Sequence, residues 1–159
     1  MMKNEELHIK EVYAYFGLAS YMAQCLERSI AMILIFVHGK GPTEITRAEL
    51  DEVLNKKFKM TMGQLIKELI SDKKSNFLGV DFDLALEKRN WLMHNYFYER
   101  SGHFMTPEGR NIMLVELTEL RVLFEKIDNI LEEIVSEKVK EFGVSEEKVQ
   151  EYITKSLAF

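Results

Sequence analysis

Val12, Phe16, Ala19, Ala23, Leu26, Ile30, Ile33 and Val37 follow one another in steps of four and three. Steps of that size put side chains on one face of an α-helix, so roughly residues 4–38 form one long helix with an apolar seam that must be covered. A second seam, Met113, Leu117, Leu120, Phe124, Ile127, Leu131 and Ile134, has the same steps. No stretch of any length alternates as a half-buried strand does, and no segment repeats. The expected fold is therefore all-α: an antiparallel up-and-down helical bundle with two long helices and several shorter ones. Two prolines and eight glycines in 159 residues leave helices almost unobstructed.

Local signals punctuate the seams. Gly39-Lys40-Gly41-Pro42 stops the first helix. Thr46-Arg47-Ala48-Glu49 and Thr61-Met62-Gly63-Gln64 have the pattern of a capping box, opening short helices to about Phe58 and about Ser71. Asp72 to Gly79 is a polar loop, and a helix follows from about Phe82 to Glu99. Thr106-Pro107 is an N-cap with proline at the first helical position. Gly143 ends the second long helix and Ser145 caps a terminal one, so residues 1–159 form a single domain with a C-terminal helical extension over about 140–159.

One cysteine, Cys25, excludes an internal disulfide and suits a reducing compartment. The acidic start lacks the apolar core of a secretory signal, and the longest apolar run is far too short to span a bilayer, so a cytoplasmic protein with no membrane partner is expected. A net charge of −5 argues against an extended nucleic-acid surface but leaves room for a small basic site. His8, His38, His94 and His103 show no metal-ligand spacing, and no metal or cofactor is expected. His38-Gly39-Lys40-Gly41 follows a helix and lacks the phosphate-loop pattern, so it is a helix stop. Cys25 lacks a nucleophile context and fits a small packed residue.

The segment Arg89-Asn90-Trp91-Leu92-Met93-His94 stands out. On a helical projection Phe82, Leu86, Met93 and Phe97 make the core stripe, with Arg89 on one flank and Asn90 and His94 on the other. Burying charge there is costly unless it is paired. Periodicity alone favours a structural account: Arg89 pairs with an acid on a neighbouring helix, and His94 is a satisfied histidine at the core edge.

Arg-polar-x3-His on a late helix of a small bundle resembles the signature of HEPN domains, many of which are metal-independent ribonucleases. His94-Asn95-Tyr96 extends it to Arg-x4-His-x-Tyr, similar to the HepT toxins, in which the tyrosine is modified by a partner nucleotidyltransferase. The segment from Phe104 to Arg110 and the C-terminal extension depart from the toxins and look closer to uncharacterised bacterial HEPN-like proteins. The resemblance implies catalytic roles for Arg89, Asn90 and His94, a binding or modification role for Tyr96, a homodimer, and RNA, nucleotide, antitoxin or nucleotidyltransferase partners.

The chemistry is coherent. A guanidinium holds a scissile phosphate and offsets its developing charge. An imidazole moves the proton of the 2′-OH or of the leaving oxygen. Asn90 orients His94 or the phosphate. The products are a 2′,3′-cyclic phosphate, or its opened form, and a 5′-hydroxyl. Arg110 has two readings, a residue of a capped helix start or a second phosphate contact near the motif. Arg89 and His94 lie about 7.5 Å apart along one helix and about 140° around it, which points to a site shared by two copies. The aromatic run Trp91, Tyr96, Phe97 and Tyr98 would suit such an interface. The competing expectation is a non-catalytic HEPN-like module that binds a nucleotide, RNA or protein; a structural bundle with a coincidental motif ranks last.

Overall fold

The computed structural model describes residues 2–38, 48, 52, 55–57, 59–71 and 80–141. Among them the chain is helical and holds no strand: α1 (Met2–His38), α2 (Met62–Ser71), α3 (Phe82–His94), α4 (Tyr96–Glu99), α5 (Ser101–Phe104) and α6 (Pro107–Glu141). The all-α bundle with two long helices is observed. The stop at Gly39–Pro42, the loop from Asp72 to Gly79, Gly143 and the terminal helix after Ser145 lie outside the described residues, as does much of the expected helix between Thr46 and Phe58. No helix among the described residues is long and apolar enough to cross a membrane.

The starts of the helices follow the local chemistry of the sequence. Thr61 accepts from the Gln64 amide (3.3 Å) while its own amide donates to Gln64 Oε1 (2.8 Å), a reciprocal capping box that opens α2. Asp81 caps α3 by accepting from the Leu84 amide at 2.9 Å. Thr106 caps α6 by accepting from Gly109, and Pro107 fills the first helical position. The motif helix is interrupted at Asn95, yet its hydrogen-bonding continues through Glu99 to Asn95, Arg100 to Tyr96 and Phe104 to Arg100, so α3, α4 and α5 form one nearly continuous rod.

The chain divides into two compact units, one of residues 1–28 and 76–129, the other of 29–75 and 130–159; α1 and α6 contribute to both. In the first unit Val12, Ala19, Ala23 and Leu26 of α1 and Met113, Leu117, Leu120, Phe124 and Ile127 of α6 are buried, as their steps required. The rod of α3–α5 runs antiparallel to both long helices: on α1, Glu27 meets Arg89 and Tyr13 meets Phe104, and on α6, Arg110 meets Phe104 and Met113 meets Tyr96. Its buried face corrects the sequence expectation. Phe82, Ala85, Leu92 and Tyr96 are buried, while Leu86 and Phe97 are intermediate and Met93 is exposed. The rod packs against two helices rather than one, so the covered face is rotated toward Arg89, which falls in the middle of the seam.

In the second unit α2 buries Met62, Leu65, Ile66 and Leu69 on one face, and Ile30, Ala31, Ile33, Leu34 and Leu131 are buried as well. Lys57 and Glu68 form an ion pair there.

Candidate functional site

Arg89 sits at a seam position and therefore points inward, toward α1. Its Nη2 donates to Glu27 Oε1 at 2.8 Å, and its Nη1 donates to Asn90 Oδ1 at 3.1 Å. About a quarter of each charged side chain in the Arg89–Glu27 pair remains exposed. A guanidinium has five N–H groups, so two bonds leave donors for a ligand. The expected structural pairing of Arg89 with an acid on a neighbouring helix is thus present, and it positions the guanidinium against Asn90.

One residue further round the helix, Asn90 lines an open cleft of about 740 Å³ between α3 and α6. His94, a turn later, lines the same cleft and is exposed. Arg89 does not line it and reaches it through Asn90. The three motif residues therefore form a bent row from a seam to a cleft rather than a convergent set within one chain.

The far end of the cleft is a charge-rich aromatic cluster. Arg100 grips Glu116 with Nε 2.8 Å from Oε2 and Nη2 2.8 Å from Oε1. The Arg100 guanidinium lies 5.0 Å from the centre of the Trp91 ring, and Lys88 Nζ lies 5.9 Å from it. The Trp91 indole N–H donates to Glu99 at 2.8 Å. Glu87 and Glu119 complete four carboxylates against Lys88, Arg100 and His94. A cleft of this make-up carries more acidic than basic groups.

Two expected site residues lie elsewhere. Tyr96 is 1% exposed and donates its hydroxyl to the Met113 carbonyl at 3.1 Å. Burial, followed by the Glu116 carboxylate, pushes its pKa far above that of a free tyrosine. A partner enzyme cannot reach that oxygen in the folded chain, so Tyr96 is a core residue. The aromatic run shrinks with it: Trp91 and Phe97 are half-buried, and Tyr98 is the one member fully in solvent.

Arg110 is also 1% exposed. It donates to the Phe104 carbonyl (2.9 Å) and His8 Nδ1 (3.5 Å), with Glu5 at 3.7 Å. Along α1, His8 and Glu27 are about 28 Å apart, so Arg110 and Arg89 serve different ends of the helix. The capped-start account of Thr106 to Arg110 holds, and Arg110 is not a second phosphate contact.

Glu27, Arg100 and Glu116 had no signal in the sequence, because each is one of many charged residues on a helix. Their partners are 62 and 16 residues away. Neither a protein-family model nor a curated protein nor a solved structure matches this chain.

Proposed function

We propose that the chain is a HEPN-type, metal-independent endoribonuclease in which Arg89 holds the scissile phosphate and His94 transfers the proton. One observation supports this reading above the others: the row Glu27–Arg89–Asn90 leads to a cleft that His94 also lines. Glu27 fixes the guanidinium, Asn90 relays its direction, and the exposed imidazole of His94 lines the same cleft as Asn90. A neutral His94 accepts the 2′-OH proton as that oxygen attacks phosphorus. The P–O5′ bond breaks, and an imidazolium returns a proton to the 5′ oxygen. One imidazole cannot face both oxygens of an in-line attack, so the working unit is a homodimer in which His94 of a second copy completes the site. A cytoplasmic toxin–antitoxin role belongs to the same proposal; modification at Tyr96 does not.

Purified protein should cut single-stranded RNA in EDTA and leave a 5′-hydroxyl end. Mixing Arg89→Ala and His94→Ala chains should restore part of the activity if each site draws on two chains. Wild-type activity in His94→Ala, or cleavage that vanishes in EDTA and returns with a divalent ion, would overturn the reading.

A second reading, a non-catalytic binding module, is favoured by the four carboxylates of the cleft, which repel a phosphate backbone. Under it, no RNA is cut at any salt concentration.

A further inference from the structure

Gly17 lies near the middle of α1, where glycine is among the poorest helix formers. It is exposed, and a Cβ there would meet nothing within 4 Å, so no contact inside the chain calls for a glycine. The residues that share its face suggest what it serves. Tyr13 and Tyr21 lie four positions to either side, Lys10 and Gln24 seven, and Glu6 and Arg28 eleven. At 100° per residue those offsets return to within about 40° of Gly17 around the axis. All seven residues are exposed, the two tyrosines by 53% and 60%. The eleven-residue spacing is close to three helical turns, so the face runs almost straight along α1 for about 33 Å. Between its ends, residues 12–26 hold no charged side chain, in a sequence of which 30% is charged.

This face is its own complement. Turned end for end about a two-fold axis through Gly17, it sets Tyr13 against Tyr21 of a second copy, Lys10 against the uncharged Gln24, and the Glu6 carboxylate against the Arg28 guanidinium. Glu6 holds Lys10 of its own chain through Oε1 at 2.6 Å, and its other oxygen can accept from Arg28 of the second copy. Two tyrosine pairs flank the axis, and at the axis glycine meets glycine, so the two backbones approach with no Cβ between them. Parallel pairing would bring Glu6 to Glu6 and Arg28 to Arg28, which like-charge repulsion opposes. A nucleic-acid strand would find no row of cations along this face. We propose that α1 pairs antiparallel with α1 of a second copy about a two-fold axis at Gly17. The contact leaves the cleft lined by Asn90 and His94 open, so it is separate from the approach through His94 that the ribonuclease reading requires.

Sedimentation equilibrium of the full-length protein reads the pairing, and circular dichroism of the same samples reads the fold. Twice the 18.7 kDa chain mass is expected. Gly17→Gln should dissociate the dimer and keep the helix content, because glutamine favours a helix and has room there within the chain. Glu6→Arg and Arg28→Glu should each weaken the dimer by roughly tenfold or more, and the two together in one chain should restore it. Glu11→Arg, exposed on another side of α1, should change nothing. Register is tested in a Cys25→Ser background. Tyr13→Cys chains mixed with Tyr21→Cys chains should form an intermolecular disulfide on mild oxidation, and neither chain should do so alone. A monomer at millimolar concentration, a dimer unmoved by Gly17→Gln, or a charge-swapped chain that pairs no better than the single variants overturns the proposal. None of these measurements involves RNA. A protein that pairs in this way and cuts no RNA removes the ribonuclease reading and keeps the α1 contact; cleavage by a protein whose assembly ignores the α1 variants does the reverse.

Discussion

Arg89 and Arg110 occupy equivalent places in two helix seams, yet one is sealed and the other is not. Arg110 precedes Met113 by three residues in the α6 seam, and Arg89 lies between Ala85 and Leu92 in the α3 seam. Arg110 is closed in by the Phe104 carbonyl and His8, near one end of α1. Arg89 is fixed by Glu27 at the edge of the bundle, keeps solvent access and touches a cleft residue. A seam arginine with its surroundings closed ties helices together. A seam arginine held by one carboxylate at an edge is a positioned cation.

The largest effect should come from exchanging the two positions for alanine. On the ribonuclease reading proposed above, Arg89→Ala should lower RNA cleavage by about 10²-fold or more while costing up to about 1 kcal/mol of stability, because the Glu27 pair is partly exposed. Arg110→Ala should cost about 3 kcal/mol and leave the activity per folded molecule unchanged. Urea unfolding beside an RNA-cleavage assay reads both; a stable Arg110→Ala chain with lost activity breaks the division.

Gly109 tests how tightly the Arg110 end is built. A Cβ there would sit 2.2 Å from the His103 carbonyl oxygen, a backbone atom with little room to yield, whereas a Cβ at Gly102 meets nothing within 4 Å. Gly109→Ala should therefore cost about 2 kcal/mol, and Gly102→Ala should be neutral or stabilising by up to about 1 kcal/mol. Similar thermal midpoints for the two variants would show that the α5–α6 turn adapts.

Tyr96→Phe should cost about 1 kcal/mol at neutral pH through the lost bond to Met113. Its pH dependence is more informative. The folded phenol keeps its proton at a pH where the unfolded chain, with a tyrosine pKa of about 10, gives it up. The unfolded state then binds fewer protons, so wild-type stability falls as pH rises above about 10. Denaturant unfolding from pH 9 to 11 should show a shallower fall for Tyr96→Phe, and parallel curves would place the phenol in solvent.

The smallest effect belongs to Thr106→Ala, which removes the cap accepting from Gly109. A loss of about 1 kcal/mol without any change in RNA cleavage would keep the Arg110 end structural.

Caps and seams were legible because they depend on neighbours in sequence. The Thr61–Gln64 box and the Thr106–Pro107 start were written in adjacent residues, and both form as the pattern implies. The site was legible only as a string. Arg89, Asn90 and His94 could be named, but the face of α3 that was covered could not, because Met93 and Phe97 are as apolar as Leu92 and Tyr96. Where two faces of a short helix are comparably apolar, burial is settled by the helices on either side.

The sequence by itself determined the helical class, the two long helices, their buried stripes and the motif, since each follows from spacing along one chain. Tertiary structure alone decided that Arg89 would meet Glu27, that Tyr96 would bury its hydroxyl against Met113, and that Arg110 would close beneath the start of α1. Those outcomes join residues between 17 and 102 positions apart. Helical periodicity fixes the direction of a side chain around its own axis and carries no information about which neighbour that direction will meet.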